Sequence, residues 1–568
     1  MNQRWIITDY DAQAAVTLAE EASVAPIVAA VLLSRGICTA EQVREFLKPS
    51  LNDLHDPFLL PDMEIAAERL VKAINAGEKI CVHGDYDCDG LTGAALLVRT
   101  LRSLKANVAY RLPHRKNEGY DLKAGVVQEQ AEDGVKLIIT CDCGICATEA
   151  VDCAVGLGVD IIVSDHHEPG NTLPAATAVV NPKRADSQYP FRELAGVGVA
   201  FKLAQAAVRK LGYKEESFRD RFMDLVAIGT VADVVPLIGE NRIFVKYGLL
   251  SIPKSQKIGL KKLLRATNLT GKPITSYDIG FVLGPRINAM GRMDDATKAL
   301  QLLVAGSDEE DLAQALVQEM ETHNQKRRLD QNNIVKEAAE QIEAKDLNNT
   351  RVLVLAGEDW STGLVGLAAG NIVGMYGRPT ILLNIDRKSG TARGSGRSVE
   401  EFDLLKALRE CDGVLEQCGG HSMAAGLSLP VDNIEEFDRR INAYAETVLS
   451  MDQLVPCVLI DSELDPTHID YSLAKTLEAM EPFGAGNPEP VFISRSMRVV
   501  TKKRVGNGTH LQLTVVSTDG RKLPCIGFGF GDRYDVVELG SVVDLCYSIQ
   551  LNHFNGTESV QLAIKAIQ

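Results

Sequence analysis

Three carboxylates crowd one short loop of this chain. The segment His83-Gly84-Asp85-Tyr86-Asp87-Cys88-Asp89-Gly90 follows the apolar run Ile80-Cys81-Val82 and precedes Leu91-Thr92-Gly93-Ala94-Ala95-Leu96-Leu97. That order predicts strand, acidic loop, helix. Charges this close repel one another, and a hard cation is the usual reason such a cluster persists. A solvated acidic turn is the plainer alternative. A calcium EF-hand shares the spaced acids and the glycine, but it needs a Glu at its twelfth position and a helix in front. Here the twelfth position is Leu96 and a strand comes first, which excludes it.

Two further segments repeat the arrangement. Val135-Lys136-Leu137-Ile138-Ile139-Thr140 reads as a buried strand and ends in Cys141-Asp142-Cys143-Gly144. Val159-Asp160-Ile161-Ile162-Val163-Ser164 reads as another and ends in Asp165-His166-His167. Open parallel sheets bind ligands beyond the carboxyl ends of their strands, where all three clusters fall. One buried histidine is more often a core residue than a ligand. Two adjacent ones after an aspartate, beside two acidic strand ends, point to metal. A mixed carboxylate and imidazole set suits Mn²⁺, or Mg²⁺ where carboxylate and water dominate. A two-metal hydrolytic site needs several carboxylates of this kind.

At 568 residues the chain predicts three to four domains, and 45% hydrophobic content supports real cores. No stretch has the ~18 uninterrupted apolar residues of a membrane span. Met1-Asn2-Gln3-Arg4-Trp5 opens no signal peptide, so a cytoplasmic protein without membrane association is expected. The 12 cysteines are scattered, as in a reducing compartment. Cys141, Cys143, Cys146 and Cys153 cluster without the paired knuckles of a zinc site, and small apolar packing is the expectation over zinc or iron–sulfur. A net charge of −16 argues against a protein that coats nucleic acid nonspecifically. It leaves room for a nuclease with one basic groove and a salt-sensitive grip.

The pattern divides the chain into a helical lead-in (1–62), an alternating α/β domain (63–306), a connector (307–347), a second α/β domain (348–455) and a β-rich end (456–568). The connector has apolar residues early (Leu312, Leu316) and late (Ile334, Val335, Ile342), with a polar middle from Glu319 to Gln331. One helix crossing between domains and two shorter helices with a polar joint both fit. Five short strands are expected near 497–505, 510–517, 522–529, 542–551 and 558–567. They fit an OB-like barrel or a small sandwich. Lys502, Lys503 and Arg504 would track a phosphate backbone or form a solvated face.

The motif order His-Gly-Asp-Tyr-Asp-x-Asp-Gly, Asp-Cys-Gly, Asp-His-His resembles the DHH phosphoesterases. In detail it resembles their single-strand-specific 5′ exonucleases. The likeness extends through Ile228 to Leu237, Leu283 to Arg292, Cys418-Gly419-Gly420-His421 and Pro482 to Pro490. It implies an α/β protein in which a parallel-sheet DHH domain is joined by one long helix to a second α/β, DHH-associated domain, followed by a C-terminal OB-like β-barrel. It also implies two Mn²⁺ or Mg²⁺ ions held by Asp87, Asp89, Asp142, His166 and Asp233, with Asp142 bridging. Asp85 is placed close by, as ligand or behind one. His167 is expected to orient the phosphate or stabilise the transition state, and Asp165 to orient a histidine.

Substrate contacts follow from the same resemblance. Arg286, Asn288 and Arg292 are expected on a loop, as phosphate contacts or as a salt-bridged framework. Arg115 and Tyr120 would supply a phosphate contact and a stacking ring. Ser395 and Arg397, with Gly419, Gly420 and His421, would hold a terminal 5′ phosphate. Two positions depart from the family pattern. Ser361 stands where Trp-His-x-Gly is usual, and Asp121 where Glu-Gly-Tyr is usually followed by Gly. The implied activity is hydrolysis of single-stranded DNA from its 5′ end to mononucleotides in repair and recombination. The implied partners are single-stranded DNA, a single-strand-binding protein and a helicase; apart from the resemblance, a monomer is the default expectation. The alternatives are a phosphodiesterase for short oligonucleotides or cyclic dinucleotides and a non-catalytic nucleic-acid scaffold.

Overall fold

The apolar runs that lead into each polar cluster become inner strands of one sheet. Every residue of Ile80–Gly84 and Leu137–Cys141 is buried, which is why these strands read as continuous apolar segments rather than alternating ones. The computed structural model describes residues 3–114, 118–293, 295–554 and 557–568. The chain divides into two compact units. The first is Ile7–Glu321 with Ile460–Gln568, and the second is Thr322–Leu459 with the residues up to Ile6.

In the first unit five parallel strands lie in the order Val108–Arg111, Ile80–Gly84, Leu137–Cys141, Asp160–Ser164, Ala178–Val180. The chain steps outward in one direction from Ile80–Gly84, then returns to add strands on its other side. The strand order therefore reverses between Ile80–Gly84 and Leu137–Cys141, the switch point where such sheets open a crevice. The expected alternation of strands and helices stops at Val180. From Gly196 to Val304 the unit is helical, including Gly196–Lys210, Glu215–Ala232, Gly239–Ser251 and Ile258–Ala266. The apolar residues here pack helix against helix, in one core with the sheet: Phe201, Phe222, Phe244 and Leu263 are buried together with Leu91 and Ile139.

That core encloses an ion pair. Lys202 Nζ donates to Glu240 Oε1 (2.6 Å) and to the His55 carbonyl (2.6 Å), and the Tyr189 hydroxyl donates to Glu240 Oε2 (2.5 Å). Burial works against the Lys202 cation, and Glu240 opposes that effect. Glu240→Ala leaves the ammonium buried and unpaired, so it is expected to lower stability by about 3–5 kcal/mol. Urea titration of the two proteins measures the difference.

The helices Ala12–Ala22, Pro26–Ser34 and Ala40–Leu47 share a core with the C-terminal strands, through Leu18, Val28, Leu32 and Val43 against Phe492, Val499, Leu545 and Tyr547. Those strands close a barrel. Phe492–Val505 pairs with His510–Val516 on one side and Val542–Phe554 on the other. Lys522–Gly527 pairs in parallel with Thr557–Ile567 to complete the ring. Closure excludes the open sandwich. It also assigns two of the three basic residues. Lys502 Nζ donates to the Tyr534 and Val537 carbonyls (both 2.8 Å), and Arg504 donates to the Gly531 carbonyl (3.1 Å) and Asp535 (2.7 Å). Both fasten the 531–537 segment, while Lys503 is exposed and has no such tie among the described residues.

The second unit carries the sheet Gln417–Gly420, Ala424–Pro430, Thr391–Arg397, Thr380–Asp386, Leu353–Glu358, in that order. One helix, Glu310–Glu343, joins the units. Its early residues Ala313, Leu316 and Val317 belong to the first unit's core, and Ile334, Ala338 and Ile342 to the second's. Among the described residues no single helix is long and apolar enough to cross a membrane.

Candidate metal centre

The sheet delivers its carboxylates at the switch point. Asp85 follows Ile80–Gly84, and its amide donates to the Cys141 carbonyl (3.1 Å). Asp87 caps the helix Cys88–Ser103 by accepting from the Asp89 and Gly90 amides (3.0 and 3.1 Å), a favourable place for an anion. Asp89, one residue into that helix, is buried. Its Oδ2 accepts from the Gly196 amide (2.7 Å) and its Oδ1 from the Val197 amide (2.8 Å), at the start of another helix. Each oxygen keeps a lone pair for a cation.

Asp142 is buried with φ at +64°, a left-handed conformation that turns the chain sharply at the end of Leu137–Cys141. A Cβ on Gly196 would lie 2.6 Å from Asp142 Oδ1, so glycine there makes room for the carboxylate. Likewise a Cβ on Gly229 would lie 2.9 Å from Asp89 Oδ1.

Across from these acids, His166 Nε2 lies 3.1 Å from Asp142 Oδ1, 3.5 Å from Asp233 Oδ2 and 3.9 Å from Asp89 Oδ2. Yet neither His166 Nε2 nor Asp142 Oδ1 is hydrogen-bonded, although both are buried. Buried atoms that face each other this way with no hydrogen-bond partner are suited to a shared cation. Three overlapping groups emerge, each with ligand atoms within 4.8 Å of one another: Asp85, Asp87 and Asp142; Asp142, His166 and His167; Asp89, His166 and Asp233. Asp142 and His166 each belong to two of them.

The electrostatics agree. Burial, and then the charge of Asp87, pushes the Asp89 carboxyl up to about 7. Burial, followed by Asp89 and Asp87, pushes Asp233 up to about 9. Asp142 is raised well above the ordinary carboxylate range for the same reasons. Burial depresses His166 to about 3, which keeps its imidazole neutral and able to ligate.

His167 has a different setting. It is exposed, and Asp165 Oδ1 lies 2.8 Å from its Nδ1. Burial of the ring atoms works against the cation, but Asp165 outweighs it and raises His167 to about 9. Asp165 is itself fixed, accepting from the amides of Ile145 (3.0 Å), His166 (2.7 Å) and His167 (3.1 Å). The Tyr120 hydroxyl sits 3.2 Å from His167 Nδ1 and 3.3 Å from the Asp142 carbonyl. Tyr120 thus reaches the site through its hydroxyl, where the sequence suggested a stacking ring. Asp121 has φ at +76°, which explains why Gly is usual there, and its carboxylate accepts from the Leu122 amide (2.9 Å).

Other expected contacts are rearranged. Arg286, Asn288 and Arg292 lie on the helix Gly284–Met293, not on a loop. Arg286 forks onto Glu321, and its Nη1 donates to the Val282 carbonyl (2.8 Å). Asn288 Oδ1 accepts from the Cys88 amide (2.8 Å) and so pins the acidic loop. Both side chains have protein partners, and Arg286 forms the salt bridge that the sequence offered as one alternative. Arg292 is half-buried on the same helix. Arg115 lies outside the described residues. Cys141 packs under Gly93, whose added Cβ would meet its sulfur at 2.3 Å, while Cys143 points at the His83 carbonyl.

In the second unit Ser395, Arg397 and Gly419 lie on neighbouring strands of one sheet. Arg397 Nη1 donates to Ser395 Oγ (3.0 Å) and the Gly396 carbonyl (2.8 Å), and no carboxylate pairs with Arg397 among the described residues. Burial alone holds its guanidinium below the ordinary value. A Cβ on Gly366, in the first turn of helix Val365–Tyr376, would lie 3.0 Å from both Arg397 Nη2 and Ser395 Oγ. Gly419, Gly426 and Ser395 sit side by side across three strands. Gly420 takes φ +140°, and the exposed His421 follows it. Trp360, before the departing Ser361, is buried and donates to Glu337 (2.7 Å).

Comparison with known proteins places these features. Residues 79–230 match the DHH family, N-terminal domain, residues 349–447 the DHHA1 domain, and residues 460–566 the RecJ OB domain. The chain is 36% identical to the single-stranded-DNA-specific exonuclease RecJ of Bacillus subtilis, over 99% of this chain and 70% of that protein. It is 35% identical to the Escherichia coli protein of the same name, over 96% of each. The crystal structure of Thermus thermophilus RecJ with Mn²⁺ superposes with a TM-score of 0.82 at 30% identity, covering all of this chain and 79% of that one. Its Mg²⁺ complex gives 0.77.

Proposed function

The chain belongs to the RecJ family of single-stranded-DNA-specific exonucleases, and we propose that it hydrolyses single-stranded DNA from the 5′ end to 5′ mononucleotides, with two Mn²⁺ or Mg²⁺ ions, in cytoplasmic DNA repair and recombination. The observation that carries this reading is the convergence of Asp85, Asp87, Asp89, Asp142, Asp233 and His166 on one switch point, with Asp142 and His166 shared between groups. So dense a set of buried and half-buried acids fits divalent cations, and the orphaned Asp142 Oδ1 and His166 Nε2 face the space they would fill. Asp87, Asp89, Asp142, His166 and Asp233 would hold the ions, with Asp142 common to two ligand groups and Asp85 grouped with Asp87. When bound, such ions activate water and neutralise charge on the attacking and leaving oxygens.

The chain's own groups do the rest. Asp165 engages His167 Nδ1 and favours the protonated ring, raising it to about 9 in the metal-free protein. The Nε2 edge is left to donate to a phosphate oxygen, a charge-assisted bond that strengthens as negative charge grows in the transition state. Tyr120 braces the same ring. Arg397, Ser395 and the glycines around them would hold the terminal phosphate, and a grip on that group gives 5′ polarity. The closed barrel favours longer strands over dinucleotides. A monomer that works with a single-strand-binding protein and a helicase completes the reading.

A 5′-phosphorylated single strand labelled differently at each end tests it. With Mn²⁺ the 5′ label is expected to leave first as mononucleotide, a duplex of the same sequence to persist, and EDTA to stop release. Loss of the 3′ label first would overturn the polarity. Cleavage confined to dinucleotides would make the protein a small-substrate phosphodiesterase.

A further inference from the structure

We infer that Tyr277 and Phe281 form a stacking platform for bases of the retained strand, 3′ of the scissile bond. The inference rests on the exonuclease reading above. The two rings stack on each other with centroids 4.7 Å apart and planes inclined by 24°. They are 64% and 69% exposed. Leaving two large rings in water forfeits the stabilisation that burial would give. Their backbone is nonetheless well fixed. Thr275 and Asp278 form a reciprocal capping box around Tyr277, and the Ser276 hydroxyl donates to the Phe483 carbonyl. Phe281 lies in a single π-helical turn, Ile279–Leu283, an irregularity that recurs at functional sites.

The position of the pair says what covers it. Gly280 lies against Val231, two residues before Asp233, and Gly284 lies against Ala232. The same helical run continues to Asn288, which pins Cys88 in the acidic loop, and to Gly291, where an added Cβ would meet the Tyr86 carbonyl at 2.6 Å. One continuous run therefore links the ring pair to both sides of the metal-binding cluster. Val234 is exposed beside Asp233 with φ at +63°, an unusual conformation for a β-branched residue. A 5′ exonuclease has one nucleotide on the 5′ side of the scissile phosphate and the whole remaining strand on the other. A flat, exposed, preorganised aromatic surface on a helical run that packs against the cluster's own segments is the chemistry that unpaired bases recognise, without regard to sequence.

The test uses the full chain with Mn²⁺ and a 5′-phosphorylated oligothymidylate, with and without abasic residues in the nucleotides that follow the 5′ end. Tyr277→Ala with Phe281→Ala is expected to raise KM about tenfold per ring while kcat changes less than twofold. The wild type is expected to suffer a similar loss on the abasic strand, and the double variant no further loss. Tyr277→Trp with Phe281→Trp should restore the wild-type KM, and unchanged thermal melting shows that the variants fold. An unchanged KM overturns the inference, as does an equal loss on intact and abasic strands, which would place the rings in the fold or at a protein partner. If the wild type leaves the strand intact, both readings fail. If it degrades the strand and the alanine variant matches it, only the platform fails.

Discussion

Asp142→Asn is expected to lower kcat on a 5′-phosphorylated single strand by at least about a thousandfold, roughly 4 kcal/mol of transition-state stabilisation. Asp142 is the carboxylate common to the Asp85–Asp87 group and the histidine group, so no neighbour replaces it. The same substitution should have the opposite effect on the metal-free fold. Burial and the charges of Asp89, Asp87 and Asp233 raise the Asp142 carboxyl, while Asp89 is pushed up to about 7 and Asp233 to about 9. The native state therefore retains protons that the unfolded chain has released. Stability from these groups is fully present below the ordinary carboxylate range and is lost as pH rises towards about 7 and then about 9. Metal-free wild type should melt lower at pH 9 than at pH 5, and Asp142→Asn should flatten that slope. Added Mn²⁺ should reverse the order of the two proteins by stabilising the wild type more. Calorimetry across pH, with and without metal, reads all three effects. A site that loses activity but gains metal-free stability is one shaped by function at the expense of stability.

Arg397→Ala is expected to abolish the preference for a 5′-phosphorylated strand over a 5′-hydroxyl strand. The guanidinium has no carboxylate partner among the described residues and donates there only to Ser395 Oγ and the Gly396 carbonyl, which leaves its charge unneutralised. Losing a hydrogen bond to a charged group costs about 1.5–3 kcal/mol, roughly a 10- to 150-fold rise in KM for the phosphorylated strand. The hydroxyl strand should be unaffected. Arg397→Lys should recover only part of the loss, because an ammonium lacks the planar fork. KM values for the two strands with the three proteins decide it. An equal loss on both strands would assign Arg397 to the fold of its unit instead.

The metal-binding cluster was legible in sequence because its loops follow apolar runs that can only be inner strands. A parallel sheet then brings Asp85, Asp142 and Asp165 to one edge without further information. Asp233 was different: Ala232-Asp233-Val234 ends a helix like many others, and only the surrounding motif marked it. The failures have a common cause, which is dependence on partners distant in sequence. For Arg286 the sequence leaves a phosphate contact and a salt bridge both open because Glu321 stands 35 positions away, and the Cys88 amide that Asn288 meets is 200 positions earlier. Lys502 and Arg504 looked like a basic run, but barrel closure carries the 531–537 segment onto them. The helical stretch from Gly196 to Val304 was mistaken for continued α/β alternation because short apolar runs serve buried helices and strands equally well. No sequence pattern announced that Tyr277 and Phe281 would be left exposed, since aromatic residues at helical spacing are ordinarily core.

The central claim is that one shared carboxylate organises a two-ion centre. Mn²⁺ binding to the metal-free protein, followed by electron paramagnetic resonance alongside calorimetry, tests it most directly. The account predicts two ions per wild-type chain with spectral coupling between them, and at most one uncoupled ion in Asp142→Asn. A single uncoupled ion in the wild type, or two coupled ions surviving in Asp142→Asn, would contradict it.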